Sequence, residues 1–408
     1  MPMDNTRIDN AVLGQHVPHA HEKEAFQTGR VVTMAVGHSI HDTYTAFLPP
    51  LLPAFIANLV LSKTTAGLLN VFITVPSLIQ PVIGHLADRY NLRNLVILAP
   101  AITATMMSLL GLTPGYGVLA LFLIVVGLSS AGIHAVGPVM AGRLSGCSLG
   151  RGMSFWMVGG ELGRTLGPII VVTAVVHLGL RGLPWLMVGG WVASILFYFR
   201  LRDVPSHPRE IDAGLPWTSA LRRMKPVLVP LAGVIFLRAF MQSALTYYLP
   251  TFLIEEGADL WFAGASLSVL QGAGVAGALL GGSISDRLGR RLILFISMSV
   301  APVFMFFFLG VHGWVQFPLV VFLGFFVIST TPVMMALVQE RFPENRALAN
   351  GAYMSLSFVI RSGVVVLMGA LGDKFGLRQA FTISAILMLL GLPLIFLIPR
   401  GRPRSTKM

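Results

Sequence analysis

Two histidines and an aspartate lie in the middle of the first apolar stretch of the chain, residues 31–60. At helical spacing, His38, His41, Asp42 and Thr45 share one face, because they stand at positions i, i+3, i+4 and i+7. Histidine titrates near neutral pH, and a carboxylate in an apolar environment is costly unless it is paired or protonated. The pattern therefore predicts proton chemistry on one face of an otherwise apolar helix.

A second pair of charged residues, Glu161 and Arg164, is embedded in the fifth apolar stretch. Their i, i+3 spacing allows an internal ion pair. Two interpretations stay open: the pair only holds the helix, or Glu161 takes a proton and frees Arg164 to bind a solute. His134 lies about 14 Å in from Arg143 along the fourth stretch, at ~1.5 Å per residue, and is a candidate for proton transfer or for packing.

Arg238 and Arg361 add fixed positive charge to the seventh and eleventh stretches. Arginine stays charged in proteins, and these two with Arg164 face only two embedded carboxylates, those of Asp42 and Glu161. The surplus favours an anionic or phosphonate-like solute, unless every arginine is already paired with carboxylates and helix-end carbonyls. Five further residues could line a solute pathway, with packing as the alternative for each: Tyr44, Trp156, Gln242, Tyr247 and Gln271.

Membrane-spanning helices must position these groups. The chain has 408 residues, of which 55% are hydrophobic and 11% charged, whereas soluble domains carry about 25% charged residues. Because the basic residues punctuate apolar segments, the net charge of +12 does not indicate nucleic-acid binding. Twelve segments are long enough to span a bilayer: 31–60, 64–87, 94–113, 117–141, 152–177, 182–200, 226–254, 261–284, 291–311, 314–338, 348–371 and 378–399.

The longest polar interruption divides the twelve segments into six and six. We predict a disordered tail over residues 1–29, a six-helix bundle over 30–200, a linker over 201–225, a second bundle over 226–399 and a short tail over 400–408. The side that carries both chain ends has 22 Lys and Arg residues, against 4 on the other side. By the positive-inside rule, both termini are predicted to be cytoplasmic.

The two halves of the chain repeat. Residues 84–93 read GHLADRYNLR, and residues 282–291, 198 positions later, read GSISDRLGRR. Residues 47–49 and 248–250 match as an aromatic residue followed by Leu-Pro, at an offset of 201. A nearly constant offset predicts a duplicated six-helix unit with pseudo-twofold symmetry.

This Gly-x-x-x-Asp-Arg signature, after the second and eighth of twelve spans, resembles the major facilitator superfamily. The first helix, with Gly-His-Ser-x-x-Asp-x-Tyr and Leu-Pro-x-Leu-Leu-Pro, more narrowly resembles the fosmidomycin-resistance branch of drug/proton antiporters. Gly163-x-x-x-Gly167-Pro168 is similar to the core of the antiporter motif, without its two trailing glycines. The resemblance implies an all-α membrane protein that consists of two pseudo-symmetric six-helix bundles and works by alternating access.

The resemblance also implies a latch between the halves on the cytoplasmic side. Asp88 would face the start of the eleventh helix and Asp286 that of the fifth, which would stabilise the outward-facing state. The alternative is a pair of solvated loops that only set topology. The predicted latch residues are Gly84, Asp88, Arg89, Arg93, Gly282, Asp286, Arg287 and Arg290.

These observations predict a secondary transporter of a bacterial inner membrane that exports a small drug-like anion in exchange for protons. Asp42 is the first candidate for the proton carrier and Glu161 the second, with His38, His41 and His134 as further members. The expected partners are a small solute, protons and lipids, with no nucleic acid and no cofactor, and the superfamily default is a monomer.

Three alternatives stay open. The first is an importer or uniporter of an organic anion or phosphorylated metabolite. The second is a divalent-metal transporter that uses His38, His41 and Asp42, although three ligands on one helix face rarely converge. The third is a non-transporting receptor. We expect no enzyme, because no catalytic constellation is evident, and no direct use of ATP, because a Gly-x-x-x-x-Gly-Lys-Ser/Thr loop is missing.

Overall fold

The computed structural model describes residues 25–87, 90–146, 148–204, 217–342 and 346–398. The first helix, α1, comprises Thr28–Thr45 and Leu48–Asn58. Eleven further helices in the described part are long and apolar enough to span a membrane: α2 (Lys63–Ala87), α3 (Arg93–Leu112), α4 (Tyr116–Leu144), α5 (Gly150–Leu178), α6 (Leu180–Leu201), α7 (Arg222–Glu255), α8 (Leu260–Leu288), α9 (Arg290–Leu309), α10 (Gly313–Arg341), α11 (Ala349–Phe375) and α12 (Leu377–Leu397).

Helices α1 and α7 are both irregular at corresponding places. Helix α1 is interrupted at residues 46–47, and its second part begins with Pro49 in the first helical turn, where a missing N–H group costs no hydrogen bond. Helix α7 passes through a π-helical turn, Ala244–Tyr248, just before Pro250. An irregular helical turn therefore precedes the Leu-Pro sequence in both halves.

A stripe of glycines presses α5 against α1. A Cβ atom added at Gly159, Gly163 or Gly167 would lie 2.2–2.4 Å from a backbone carbonyl oxygen of α1. Glycines at i, i+4 and i+8 let two helix backbones approach this closely. Side chains on the facing surfaces of α1 and α5 are consequently brought into direct contact.

The two halves are joined firmly on the predicted outer side. The carboxylate of Asp373, at the end of α11, accepts hydrogen bonds from the backbone N–H groups of Lys63 (2.7 Å) and Thr64 (2.9 Å) at the start of α2. The Thr64 hydroxyl also donates to Asp373 (2.5 Å), and the Lys63 ammonium lies 3.0 Å from Glu255 of α7. A carboxylate from one half thus caps the N-terminus of a helix in the other.

Two tyrosines of α7 extend this outer closure inward. Tyr247 donates to the carbonyl oxygen of Ala66 (2.8 Å), and Tyr248 donates to that of Lys63 (3.0 Å). Both side chains are buried. Nearer the middle of the membrane, the hydroxyls of Thr74 and Ser362 are 2.8 Å apart and join α2 to α11.

The halves separate toward the predicted cytoplasmic side. The last turns of α2, Gln80–Ala87, pack against α4 of their own half, whereas the first turns, Lys63–Thr74, pack along α11. The hydrogen bonds between the halves described above lie at the outer ends and near the middle of the spans. The structure is therefore closed on the outer side and opens toward the predicted cytoplasmic side.

We predict that replacing Asp373 with alanine loosens the outer closure. Loss of a helix cap costs about 0.5–2 kcal/mol, which shifts an opening equilibrium about twofold to thirtyfold. In a Cys147→Ser background, a cysteine introduced at Ala66 should react correspondingly faster with a membrane-impermeant maleimide.

The matched control is Asp259→Ala, because Asp259 caps α8 within its own half by accepting from the Phe262 N–H at 2.8 Å. This variant should leave the labelling rate unchanged. Equal acceleration in both variants would contradict a gating role for Asp373.

Candidate functional site

Asp42 of α1 and Arg164 of α5 form the centre of the site, because the glycine stripe brings these two helices together. Arg164 Nη1 donates to Asp42 Oδ2 at 2.9 Å, and Arg164 Nη2 donates to Glu161 on its own helix. The Asp42 side chain is 2% exposed, whereas that of Arg164 is 38% exposed. One arginine thus bridges a buried carboxylate and a more accessible one.

Two histidines from different helices complete this group. His38 Nε2 lies 3.5 Å from Asp42 Oδ2, and His134 Nε2 of α4 lies 3.7 Å from Asp42 Oδ1. His41 points elsewhere: its Nδ1 lies 3.1 Å from the hydroxyl of Thr103 on α3, and its Nε2 is buried without a partner. We call His38, Asp42, His134, Glu161 and Arg164 the charge cluster.

The ligand atoms of His38, Asp42 and His134 all lie within 4.8 Å of one another. The sequence argument against a metal considered three residues of one helix, but the structure replaces His41 with His134 from α4. In this arrangement the Asp42 carboxylate already has a cation, the Arg164 guanidinium. The positive charge of Arg164 would therefore oppose a divalent cation bound to the same carboxylate.

The second half carries two embedded arginines in a different setting. Arg238 Nη2 donates to the Thr331 hydroxyl (2.7 Å) and toward the Val327 carbonyl oxygen (3.2 Å), and its Nε is buried without a partner. Arg361 Nε donates to the Ser357 carbonyl oxygen (3.3 Å), and its guanidinium lies 5.1 Å from the ring centroid of Phe358. Among the residues that the structure describes, no carboxylate pairs with Arg238 or Arg361.

The internal repeat explains why these arginines lack carboxylates. Arg361 stands 197 positions after Arg164, and at the same offset Phe358 replaces Glu161. At the offset of 201 that relates α1 to α7, Ser243 replaces Asp42. At the positions related by the repeat, the second half thus has an arginine but neutral residues in place of the two carboxylates.

Arginines of the two halves face each other across the interface between the bundles. Arg361 lies within electrostatic range of Arg164 and also of Arg238. Arg361 and Arg164 are partly exposed, whereas Arg238 is 2% exposed. The region between the halves is therefore positively charged, with its accessible charge on Arg164 and Arg361.

The other predicted pathway residues have mixed surroundings. Tyr44 donates to the Leu186 carbonyl oxygen of α6, Trp156 stacks on His38, and Tyr247 belongs to the outer closure. All three are buried, which favours packing over direct contact with a solute. Gln242 and Gln271 are partly exposed, and the Gln242 Oε1 atom has no hydrogen-bond partner.

The predicted latch is only partly within the described residues, since Asp88 and Arg89 lie outside them. Asp286 pairs with Arg290 of its own half, and Arg290 also contacts Glu340 of α10 at 2.8 Å. Arg287 is exposed. Arg93 begins α3, where its backbone N–H donates to the side chain of Asn91 at 3.3 Å. A latch between the halves stays a prediction for the opposite conformation.

Several important contacts had no clear signal in the sequence. Spacing indicated the Glu161–Arg164 pair, which the structure confirms, but could not show that Asp42 shares the same arginine. It also could not choose between His41 and His134 as the neighbour of Asp42. Asp373 stood at the end of a span and looked like an ordinary boundary residue; nothing in the sequence near it indicated its partner 310 positions away.

Known proteins match this chain along most of its length. The family profile described as Major Facilitator Superfamily matches residues 34–365. The chain belongs to the major facilitator superfamily. It is a multi-pass membrane transporter with the all-α fold of that superfamily, as the sequence predicted.

Individual relatives of this superfamily member agree with the assignment. The chain is 24% identical over 377 residues to the fosmidomycin resistance protein of Escherichia coli K12, covering 90% of this chain and 92% of that protein. It is also 24% identical to the uncharacterized MFS-type transporter YfnC of Bacillus subtilis 168, at 90% and 92% coverage. In fold it is similar to a bacterial homologue of the human lysosomal transporter Spinster in an inward-facing, occupied conformation, with a TM-score of 0.78, 14% identity and coverage of 91% and 97%.

The Asp42–Arg164 contact should be energetically coupled. In a double-mutant cycle of Asp42→Asn and Arg164→Gln, unfolding in mixed micelles should give a coupling free energy of about 1–3 kcal/mol. Either single change leaves a charge in the cluster without its partner, although exposure of Arg164 reduces the effect.

The control cycle uses Arg30 and Asp203, whose side chains are 36% and 59% exposed and 2.5 Å apart. An exposed pair contributes about 1 kcal/mol or less. If the coupling free energy of Asp42 and Arg164 is no larger than that of this surface pair, the central contact does not stabilise the helix bundle.

Proposed function

We propose that this protein exports a small, drug-like organic anion from the bacterial cytoplasm in exchange for protons. The observation that carries the proposal is the pair Arg238 and Arg361, two embedded arginines for which no carboxylate partner exists among the described residues. Their present partners are hydroxyl and carbonyl oxygens and an aromatic ring. An anion with a carboxylate or phosphonate group would supply the negative charge that these residues lack.

The charge balance between the halves supports an anion rather than a cation. In the first half, two carboxylates outnumber Arg164. In the second half, two arginines stand without a compensating acid. Across both halves, three arginines thus exceed two carboxylates by one positive charge before histidine is counted, and a partly exposed Arg361 can present this charge to a solute.

Proton coupling is assigned to the charge cluster. Asp42 contacts both histidines and Arg164, so uptake of a proton anywhere in the cluster changes how strongly Asp42 holds that arginine. Arg164 in turn lies within electrostatic range of Arg361. This contact chain gives a physical path by which protonation in the first half alters anion affinity in the second.

The conformation and the relatives are consistent with export. Closure on the outer side and opening on the predicted cytoplasmic side would let a solute enter from the cytoplasm. Drug resistance is part of the name of a relative that aligns over 90% of this chain.

Fosmidomycin is the first probe for this proposal. Expression of the gene in a sensitive bacterium without its own exporter should raise the inhibitory concentration of the drug. Proteoliposomes with a proton gradient should move the drug against its concentration gradient. Increased sensitivity instead of resistance would favour the importer alternative, and no flux for any anion in a panel would contradict an anion transporter.

We predict that Arg361→Gln lowers anion flux by an order of magnitude or more, because it removes the accessible unpaired charge of the second half. Drug-driven counterflow in proteoliposomes measures the loss directly. Arg181→Gln is the matched control, since Arg181 is exposed at the predicted outer surface. If both variants transport equally, the second half does not bind the anion through Arg361.

We predict that Asp42→Asn uncouples transport from protons. The amide keeps the size of the side chain but can no longer carry negative charge, so the histidines and Arg164 lose their common partner. Exchange driven by a pH gradient should fall to background while counterflow at equal pH continues. Undiminished gradient-driven exchange would exclude the charge cluster as the coupling site.

A further inference from the structure

Two histidine rings meet inside the charge cluster through the same nitrogen. His38 Nε2 and His134 Nε2 are 3.3 Å apart. The rings lie edge to face, with centroids separated by 5.1 Å and planes inclined at 78°. At this separation no water fits between the two nitrogens, so the contact has to be direct.

Backbone carbonyls determine which ring nitrogens carry hydrogen. His38 Nδ1 lies 2.8 Å from the Trp156 carbonyl oxygen, and His134 Nδ1 lies 2.8 Å from the Ser130 carbonyl oxygen. A carbonyl oxygen only accepts hydrogen bonds, so both Nδ1 atoms must donate. A neutral imidazole has a single N–H group, and both Nε2 atoms are then bare acceptors that face each other.

Two bare acceptors in contact repel, and a cation between them removes the repulsion. We propose that one proton is held between His38 Nε2 and His134 Nε2, and that this histidine pair, rather than the carboxyl group of Asp42, is the seat of the transported proton. The inference rests on the proposed proton-coupled function and specifies where in the charge cluster the proton binds. One ring becomes an imidazolium whose Nε2–H donates to the Nε2 of the other.

The surroundings stabilise one positive charge on this pair. Asp42 presents a carboxylate oxygen 3.5 Å from His38 Nε2 and another 3.7 Å from His134 Nε2. The two carboxylates of the cluster exceed its one arginine by a single negative charge, which a single imidazolium balances. Arg164 opposes the proton, because it donates to the same Asp42 Oδ2 atom that His38 approaches, but its charge is also paired with Glu161.

The aromatic residues around the histidine pair are compatible with a positive charge on the His38 ring. The Trp156 ring stacks on His38 with centroids 3.9 Å apart and planes within 16°, an arrangement that favours a cation over an aromatic face. His41, the remaining titratable neighbour, lies with its ring centroid 5.8 Å from that of His134 and bonds to Thr103 instead. It therefore does not compete for the shared proton by direct contact.

The two rings also differ in their access to water. The His134 side chain is 29% exposed, whereas that of His38 is 4% exposed. A proton therefore enters and leaves through His134, the ring that water reaches. Because the imidazolium and Arg164 both draw on Asp42, loading the proton weakens the hold of Asp42 on Arg164.

The test is nitrogen NMR of the full-length protein, labelled with 15N-histidine, in lipid bilayers. Between about pH 5 and pH 8, the range in which histidine changes charge, we expect one Nε2–H signal with a through-bond 15N–15N coupling to a second Nε2. The coupling should disappear in His38→Gln and in His134→Gln and persist in His177→Gln, which changes an exposed histidine at the outer end of α5.

Two results would overturn the inference. The first is a pair of unprotonated Nε2 atoms with no mutual coupling throughout this pH range in chelator-treated wild-type protein. The second is a tetrahedral Co²⁺ absorption band in wild-type protein that shows no 15N–15N coupling, if the band is lost when either histidine is replaced. The cation between the two rings would then be a metal ion and not a proton. If Asp42→Asn still uncouples exchange in either case, the proposed function stands and the proton binds elsewhere in the cluster.

Discussion

The close approach of α1 and α5 is the constraint on which the rest of the site depends. Gly159, Gly163 and Gly167 leave room for the α1 backbone, and only at this distance can Arg164 reach Asp42. An unpaired carboxylate at this depth in a bilayer would cost about 3 kcal/mol or more. The glycine stripe therefore makes it possible to keep an ionised group inside the bundle, next to His38 and His134.

The two halves carry different side chains at positions that the internal repeat relates. The arginine of α5 has a counterpart in α11, but Phe358 and Ser243 stand where the first half has Glu161 and Asp42. In the first half, Asp42 and Glu161 share Arg164, and the proposed function assigns the response to protons to this group. The second half became a positive surface without a fixed counter-charge, and a mobile anion can fill that role.

The fold could be predicted from the sequence because hydropathy, charge asymmetry and the repeat at an offset of 198 can each be read from the order of the residues, without knowledge of how helices pack. Within one helix, spacing also revealed the Glu161–Arg164 pair. Contacts between helices were beyond reach, since they depend on helix rotation and depth: spacing on α1 grouped His41 with Asp42, whereas packing put His134 from α4 there instead. Asp373 was missed for the same reason.

Side-specific access to the arginines tests the central claim that unpaired charge lines a pathway between the halves. Membrane vesicles of both orientations can be treated with an impermeant, arginine-specific glyoxal reagent and analysed by mass spectrometry. Arg361 and Arg164 should be modified from the cytoplasmic side and protected by a bound anion, while the buried Arg238 stays unmodified. The account would be contradicted if the reagent does not modify Arg361 from the cytoplasmic side, or if no anion reduces the modification of Arg361.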